Sequence, residues 1–412
     1  MLNSPPQRSA ALLAILTVTL CPALWATETK LGDELYFSGH ATLGALYTET
    51  KDAQFYRNLN QRNADFDQLT LESDSRLGLR LSYRPHKMIG GEVQLITRYG
   101  LSNNFETNLF AASARIRPGN GWQLGVGILP LESFYRSDSI HVGYSYLWAR
   151  PPVEMYNFNI ANNFEGISLQ KRFFWGTQSL SGKLYGGVLG RQYSTHPNDQ
   201  YDGSHSPLMG LTLEYTGEHL ALSYGWVEFD MADEALLTTK NNAFLAPPEG
   251  GDAALLQLLF DSLVDNTDIS YQYLGFAYEQ GPWRLEGAAA ETDSGLRVFQ
   301  DTYNGYLSLG YRLDNWTPFA MVSYAHNNPP HSLRGNLPAF IEGVILEGVK
   351  AAQAEQTNLA LGVRLDLSAT LSLKLQFNHI EEAHSDSYLW INESPDWNGT
   401  ANQFSLVMDA IF

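Results

Sequence analysis

The sequence has little cysteine, little charge and, in its body, no long apolar run. Of 412 residues only one is cysteine, Cys21. It lies in a leader-like stretch, where Arg8 gives a positive start, Ala10–Leu20 an apolar run, Pro22 a break and Ala26 a small residue ahead of Thr27. That run is too short to cross a bilayer as a helix. Cys21 follows Leu20 rather than a small residue, which argues against a lipoprotein signal. Residues 1–26 are expected to be a secretory signal peptide and 27–412 the mature domain. Cleavage removes Cys21 and Arg8, so the formal net charge of −18 becomes one unit more negative. A mature chain without cysteine has no disulfides and no thiolate metal sites.

Charged residues make up only 17% of the chain, against about a quarter in ordinary domains. Among them 44 Asp+Glu outnumber 26 Lys+Arg, which excludes a nucleic-acid partner, because phosphate contacts need Lys and Arg. Enzyme motifs are missing too. There is no His-Glu-x-x-His zinc helix, no Gly-x-Ser-x-Gly elbow and no phosphate loop. His379 and His384 flank Glu381 and Glu382, which read as a solvated strand end rather than a metal site. No enzyme, cofactor or metal is expected. After residue 26 no stretch holds 18 consecutive apolar residues. A chain of this kind crosses a membrane only by closing a sheet, so that every backbone hydrogen bond is made.

What the sequence does hold is aromatic residues, glycine and alternation. Aromatics reach 12%, with 22 Tyr and 20 Phe, beside 35 Gly. Leu359, Leu361, Val363, Leu365 and Leu367 alternate with Ala360, Gly362, Arg364 and Asp366. Leu371, Leu373, Leu375 and Phe377 alternate with Ser372, Lys374, Gln376 and Asn378. A period of two puts each set on one face of a strand. The pattern predicts strands near 33–48, 68–84, 88–100, 108–117, 121–130, 163–174, 179–191, 207–216, 219–230, 269–280, 283–292, 298–313, 316–326, 356–368, 371–382 and 402–412. Between these sixteen segments, short connections alternate with longer ones. Such sorting marks a transmembrane antiparallel barrel, with short turns at one end and long loops at the other. A soluble sandwich alternates too, but has no reason to sort its loops. Lys171 shares the apolar face of Ile167, Leu169 and Phe173, which an interfacial position or a bulge explains. Tyr224, Trp226, Trp283, Tyr311 and Trp316 read as membrane-interface aromatics. Gly251–Asn266 and, less clearly, Phe340–Gln356 read as short amphipathic helices in long loops.

In these sixteen segments, the Phe412 terminus and the long connection after the fifth strand, the chain resembles the Gram-negative porin superfamily. The resemblance implies a 16-stranded barrel in the cell outer membrane, with both termini periplasmic. It implies a water-filled channel for passive diffusion of small hydrophilic solutes or ions, general or substrate-specific. The implied partners are two further copies in a homotrimer, outer-membrane lipids and lipopolysaccharide, and the barrel assembly machinery. Phe404, Leu406, Met408 and Phe412 resemble the terminal signal which that machinery reads, although an ordinary last strand has the same pattern.

The resemblance also implies that the connection Leu131–Asn162 folds into the lumen, its acidic groups facing a basic wall. On this sequence the loop residues are Glu132, Arg136, Asp138 and Glu154, and Pro151–Pro152 stiffen their path. The wall residues are Arg76, Arg80, Arg98 and Arg115, all on polar strand faces. Arg76, near the middle of the second segment, is the leading constriction residue. Opposed charges across a narrow channel set up a transverse field that selects dipolar or charged solutes. The alternative is that these groups are solvated or paired within the wall, as in any large barrel. An outer-membrane lipase or protease and an adhesive barrel are the rival functions.

Overall fold

The structure is a computed structural model that describes residues 28–55, 57, 69–100, 104–157, 161–190, 206–231, 264–296, 301–328, 355–382, 389–391 and 393–412. Sixteen long strands form the barrel: β1 (Leu35–Thr48), β2 (Arg76–His86), β3 (Ile89–Tyr99), β4 (Phe105–Gly119), β5 (Trp122–Pro130), β6 (Asn163–Trp175), β7 (Gln178–Leu189) and β8 (Pro207–Thr216) in the first half. The second half is β9 (Leu220–Asp230), β10 (Val264–Gln280), β11 (Trp283–Leu296), β12 (Thr302–Tyr311), β13 (Trp316–Asn327), β14 (Glu355–Ser368), β15 (Leu371–Glu382) and β16 (Thr400–Ile411). Each strand pairs antiparallel with the next. β1 also pairs with β16, from His40↔Ile411 to Thr48↔Gln403, which closes the sheet. Closure leaves no row of unpaired amides, a requirement in hydrocarbon.

The two faces follow from alternation. On β14, Leu359 and Leu361 point outward and are about half exposed, while Asn358, Ala360 and Arg364 are buried inward. On β15, Leu375 points out, and Ser372, Lys374, Gln376 and Asn378 point in and are buried. Such a wide apolar outer surface suits lipid and is rare on proteins surrounded by water. At the short-turn end stand the exposed rings of Trp122, Trp175, Trp283 and Trp316, an aromatic girdle. Lys171 belongs to it. Its Nζ lies 4.9 Å from the Trp122 ring and 5.1 Å from Phe173, and donates to the Asn120 carbonyl in the β4–β5 turn. The stem thus lies along aromatic surface while the ammonium reaches the turn.

Three expectations need correction or fall outside the described residues. The second segment, expected as one strand over 68–84, is broken. Leu69–Thr70 make two rungs with β1, a turn follows, and β2 begins at Arg76. Ser75 Oγ donates to Leu71 O at 2.5 Å, stabilising the turn, and Asp74 packs inward beside Gly44. Arg76 therefore opens its strand instead of standing mid-strand. Of the two loop helices, residues 251–263 and 340–354 lie outside the described residues, while Val264–Asn266 and Glu355–Gln356 begin strands. The leader 1–26 also lies outside them.

Candidate functional site: the connection after the fifth strand

Residues 131–157 join the inner wall group by group. Their base is closed by Leu131 N donating to Asn162 O at 3.1 Å. From there Glu132 accepts Lys183 Nζ of β7 and Thr212 Oγ1 of β8, both at 2.6 Å. Tyr135 lies against Gly275 of β10, where any Cβ would come within 2.4 Å of the ring, so the wall needs glycine there. Arg136, at φ 60°, places Nη2 3.2 Å from Glu286 of β11. Trp148 Nε1 donates to Ser308 Oγ of β12 at 2.8 Å. Glu154 accepts Ser323 Oγ of β13 at 2.8 Å and Gln356 Nε2 of β14. Burial pushes the Glu154 carboxyl up, and these donors pull it back.

The tip travels the length of the barrel. Tyr144 Oη donates to Ala369 O at 2.9 Å, in the short turn between β14 and β15. Arg364 Nη1 donates to the carbonyls of Tyr144 and Tyr146 at 2.8 and 2.7 Å. Lys374, fully buried, donates to Gly143 O at 2.7 Å and pairs with Asp409 at 2.9 Å. Thr42 Oγ1 of β1 donates to the other Asp409 oxygen at 2.6 Å. Gly143 has no room for a side chain, since a Cβ would lie 2.0 Å from Asp409 Oδ1. Gly143→Val is therefore expected to lift the tip and lower stability by about 1–3 kcal/mol, the usual cost of overpacking, read by urea unfolding in detergent. A stability within error of the parent chain would show that the tip is not seated there.

The return limb carries a buried, two-pronged ion pair. Arg150 donates through Nε and Nη2 to both Asp74 oxygens at 3.1 and 2.8 Å, and through Nη1 to Gln403 Oε1 at 3.1 Å. Arg57 Nε lies 3.3 Å from the same carboxylate. Burial opposes ionisation of Asp74, but Arg150 and then Arg57 outweigh it and hold the carboxyl well below its ordinary range. Around these polar anchors packs a buried aromatic and aliphatic cluster. Phe134, Tyr135, Trp148 and Tyr156 of the connection meet Tyr271, Tyr273 and Tyr306 of the wall. The rings cross at steep angles, Trp148 with Tyr306 at 5.1 Å and 84°, Phe134 with Tyr271 at 5.2 Å and 70°.

The sequence-derived site residues are spread over several separate groups of contacts. Arg80 and Arg115 both clasp Glu92 of β3, within the wall. Arg76, only 2% exposed, donates from Nε to His141 O at 2.7 Å. Arg98 is buried nearby and feels the charge of Glu106. Glu132 and Glu154 are anchored on other strands, and Asp138 is exposed. Among the described residues, no acidic residue of the connection forms an ion pair with the arginines of β2–β4, and those that pair do so with other strands. At the other terminus Phe404 and Leu406 face outward, Met408 is half-buried, and Phe412 is buried 6.0 Å from the Phe37 ring. Sequence reading passed over Asp74, Lys374, Asp409 and Glu286 as site residues. Their only signal was charge on the inward face of a strand or turn, and their partners lie 76 or more positions away in several cases.

The sequence matches no family model and no curated protein. The fold has many solved counterparts. Salmonella typhi OmpF, in complex with daunomycin, aligns with TM-score 0.55 at 11% identity, over 93% of this chain and 100% of that one. An anion-selective porin from Comamonas acidovorans aligns with TM-score 0.52 at 14% identity, over 92% and 99%. OmpT, an outer membrane protein of Vibrio cholerae in a trimer form, gives 0.51 at 12% identity, over 94% and 100%. At such identity the likeness speaks of architecture alone. The chain has the fold of the outer-membrane porins, a closed barrel of sixteen antiparallel strands.

Proposed function

We propose that this chain is an outer-membrane channel that passes small hydrophilic solutes or ions by passive diffusion, through a lumen narrowed by the connection 131–162. The observation that carries this reading is the inner face between the anchors. Arg80, Arg172 and Glu214 stand about 40–50% exposed on inward positions, with Arg115 partly exposed, inside a barrel whose outer face is apolar. Charged side chains left in contact with solvent inside an apolar shell line water, and sixteen strands leave room for it. The mature protein spans the outer membrane with both termini on the periplasmic side, after removal of residues 1–26. It assembles as a homotrimer among lipids and lipopolysaccharide, with the strand ending in Phe412 read by the assembly machinery.

A substrate-specific channel is favoured over a wide general one by one feature. The connection is anchored on strands as far apart as β7, β12 and β13 and reaches the short-turn end at Ala369, so it narrows the lumen along its length. Planar-bilayer recording of the purified full chain tests both statements. The expected result is discrete openings of small conductance. Arg80→Ala together with Arg115→Ala, which leaves Glu92 unpaired on the inner wall, is expected to shift the reversal potential toward cation preference. Absence of any current from folded protein sinks the channel reading.

A further inference from the structure

Three guanidinium groups meet where the connection lies over β2 and β3. Between them is a cavity of about 30 Å³, room for one or two waters, given that one needs about 10–15 Å³. Arg57, Arg76 and Arg98 line it with His141, and apolar Ile140 and Val153 stand beside polar Tyr156 and Asn162 in the rest of its wall. Among the described residues, no carboxylate lines it. All three arginines are largely buried, at 14%, 2% and 9% exposed. Arg76 spends Nε on the His141 carbonyl, but its Nη2 is buried with no hydrogen-bond partner. A buried cationic donor left unsatisfied is costly, far more so beside other cations.

Two of the three arginines have a carboxylate beside them, Arg57 in Asp74 at 3.3 Å and Arg98 in Glu106 opposite it on β4, whereas among the described residues no carboxylate pairs with Arg76. Asp74 is held by Arg150 and Arg57, Asp409 by Lys374, and Glu106 sits toward Arg98 on its far strand. The imidazole of His141 adds no negative charge. Burial, then Arg98 and Arg76, hold it well below its ordinary value, in the neutral form. Burial, with Arg76 and Arg150 repelling and Asp74 attracting, lowers Arg57 to about 9. The cavity is thus small and bordered by three cations, one of which, Arg76, carries an unpartnered buried donor.

We propose that this cavity binds a small inorganic anion, a halide or a small oxyanion, between Arg57, Arg76 and Arg98. The ion balances the charge of Arg76 and clamps residues 140–141 and 151–153 of the connection to β2 and β3. The site lies beneath the connection, and its occupancy is independent of what the channel passes.

The test uses the full chain in detergent, purified in sodium gluconate. Bromide and inorganic phosphate are titrated separately at constant ionic strength while the thermal unfolding midpoint is followed. Crystals grown with bromide are examined for anomalous signal. A ligand that binds only the folded state raises the midpoint saturably. The expected result is a saturable rise with at least one of the two anions. A response to bromide, with an anomalous peak between the three guanidiniums, identifies a halide site, and a response to phosphate alone identifies an oxyanion site. Arg76→Gln should weaken the apparent affinity by about 10-fold or more, the loss of one charge-assisted bond. Arg98→Gln serves the same purpose should Arg76→Gln fail to fold. Arg115→Gln, on the same wall outside the cavity, should respond like the parent. A midpoint indifferent to both anions overturns the proposal. So does an anomalous peak without saturable stabilisation, which is binding at crystal concentration only. A response unchanged in the Arg76 and Arg98 variants places the ion elsewhere and overturns it too. Channel conductance is read separately, so loss of this site leaves the channel reading intact.

Discussion

Asp74→Asn is expected to lower the unfolding free energy by about 3–5 kcal/mol, the loss seen when one partner of a buried ion pair is removed. The carboxylate is 1% exposed and Arg150 is 3% exposed, so water cannot replace what is lost. With the charge gone, Arg150 keeps Gln403 and Ser405, but its positive charge stays buried, with Arg57 beside it. Both turn and connection depend on this pair, since Asp74 reaches it from the turn before β2 and Arg150 from the returning limb. Urea unfolding in detergent gives the loss. The double substitution Asp74→Asn with Arg150→Gln should cost less than the two singles added, by about 0.5–3 kcal/mol, because the pair acts as a unit. A single-variant loss under about 1 kcal/mol would show that the pair is not buried as described. The same carboxylate sets an acid limit. Its folded value lies below the ordinary 3.8, so its contribution is complete above that value. The contribution falls away as pH drops below 3.8 toward the folded value, and unfolding midpoints measured from pH 5 downward should decline more steeply in the parent than in Asp74→Asn.

Lys374→Met is the second large effect, again about 3–5 kcal/mol by the same reasoning. Lys374 is fully buried, and its ammonium serves both Asp409 and the carbonyl of Gly143. The methionine fills the space but strands a carboxylate that, among the described residues, keeps Thr42 alone as donor. The consequence extends to the channel. Gly143 sits at the tip, and with its carbonyl released the tip loses one of its fixings at the short-turn end. Single-channel conductance is therefore expected to rise and to become noisier, while barrel content by circular dichroism stays unchanged. Lys374→Met with Asp409→Asn should recover much of the stability, because the stranded charge is removed, yet keep the altered conductance. Recovery of both together would show that the tip is not held by Lys374.

The two positions differ in how far the sequence announces them. Lys374 and Asp409 fall on the polar faces of strands that alternation defines well, so their inward direction is readable. Their meeting is not, because it depends on the register of β15 against β16, which pairs Ser372 with Asp409, and Gly143 arrives from more than 200 residues away. Asp74 is harder. The leucines at 69, 71, 77, 79 and 81 keep one parity through the turn, so periodicity draws a single strand where the chain bends inward. The bulge in β4 is hidden in a similar way. Gln94 pairs with Ala111 but Leu95 with Leu109, and the extra residue, Phe110, turns in to meet His141 at 5.2 Å. Single-strand patterns carry no sign of such a shift.

By itself the sequence determined the sixteen strands, their two faces and the sorting of their connections. Each is a local consequence of period-two alternation and of the need for strands in lipid to pair completely. Only the tertiary structure decided the course of residues 131–157. Local pattern showed a long connection rich in rings and charge, and the resemblance to porins implied a loop facing a basic wall. The structure instead pairs its charges with Lys183, Glu286 and Asp74 and fits it into notches left by Gly275 and, for Leu147, Gly310. Those partners come from strands far apart in the chain, brought round one lumen by closure. Which charge meets which is set by the register and stagger of the whole barrel, a quantity that no single segment contains.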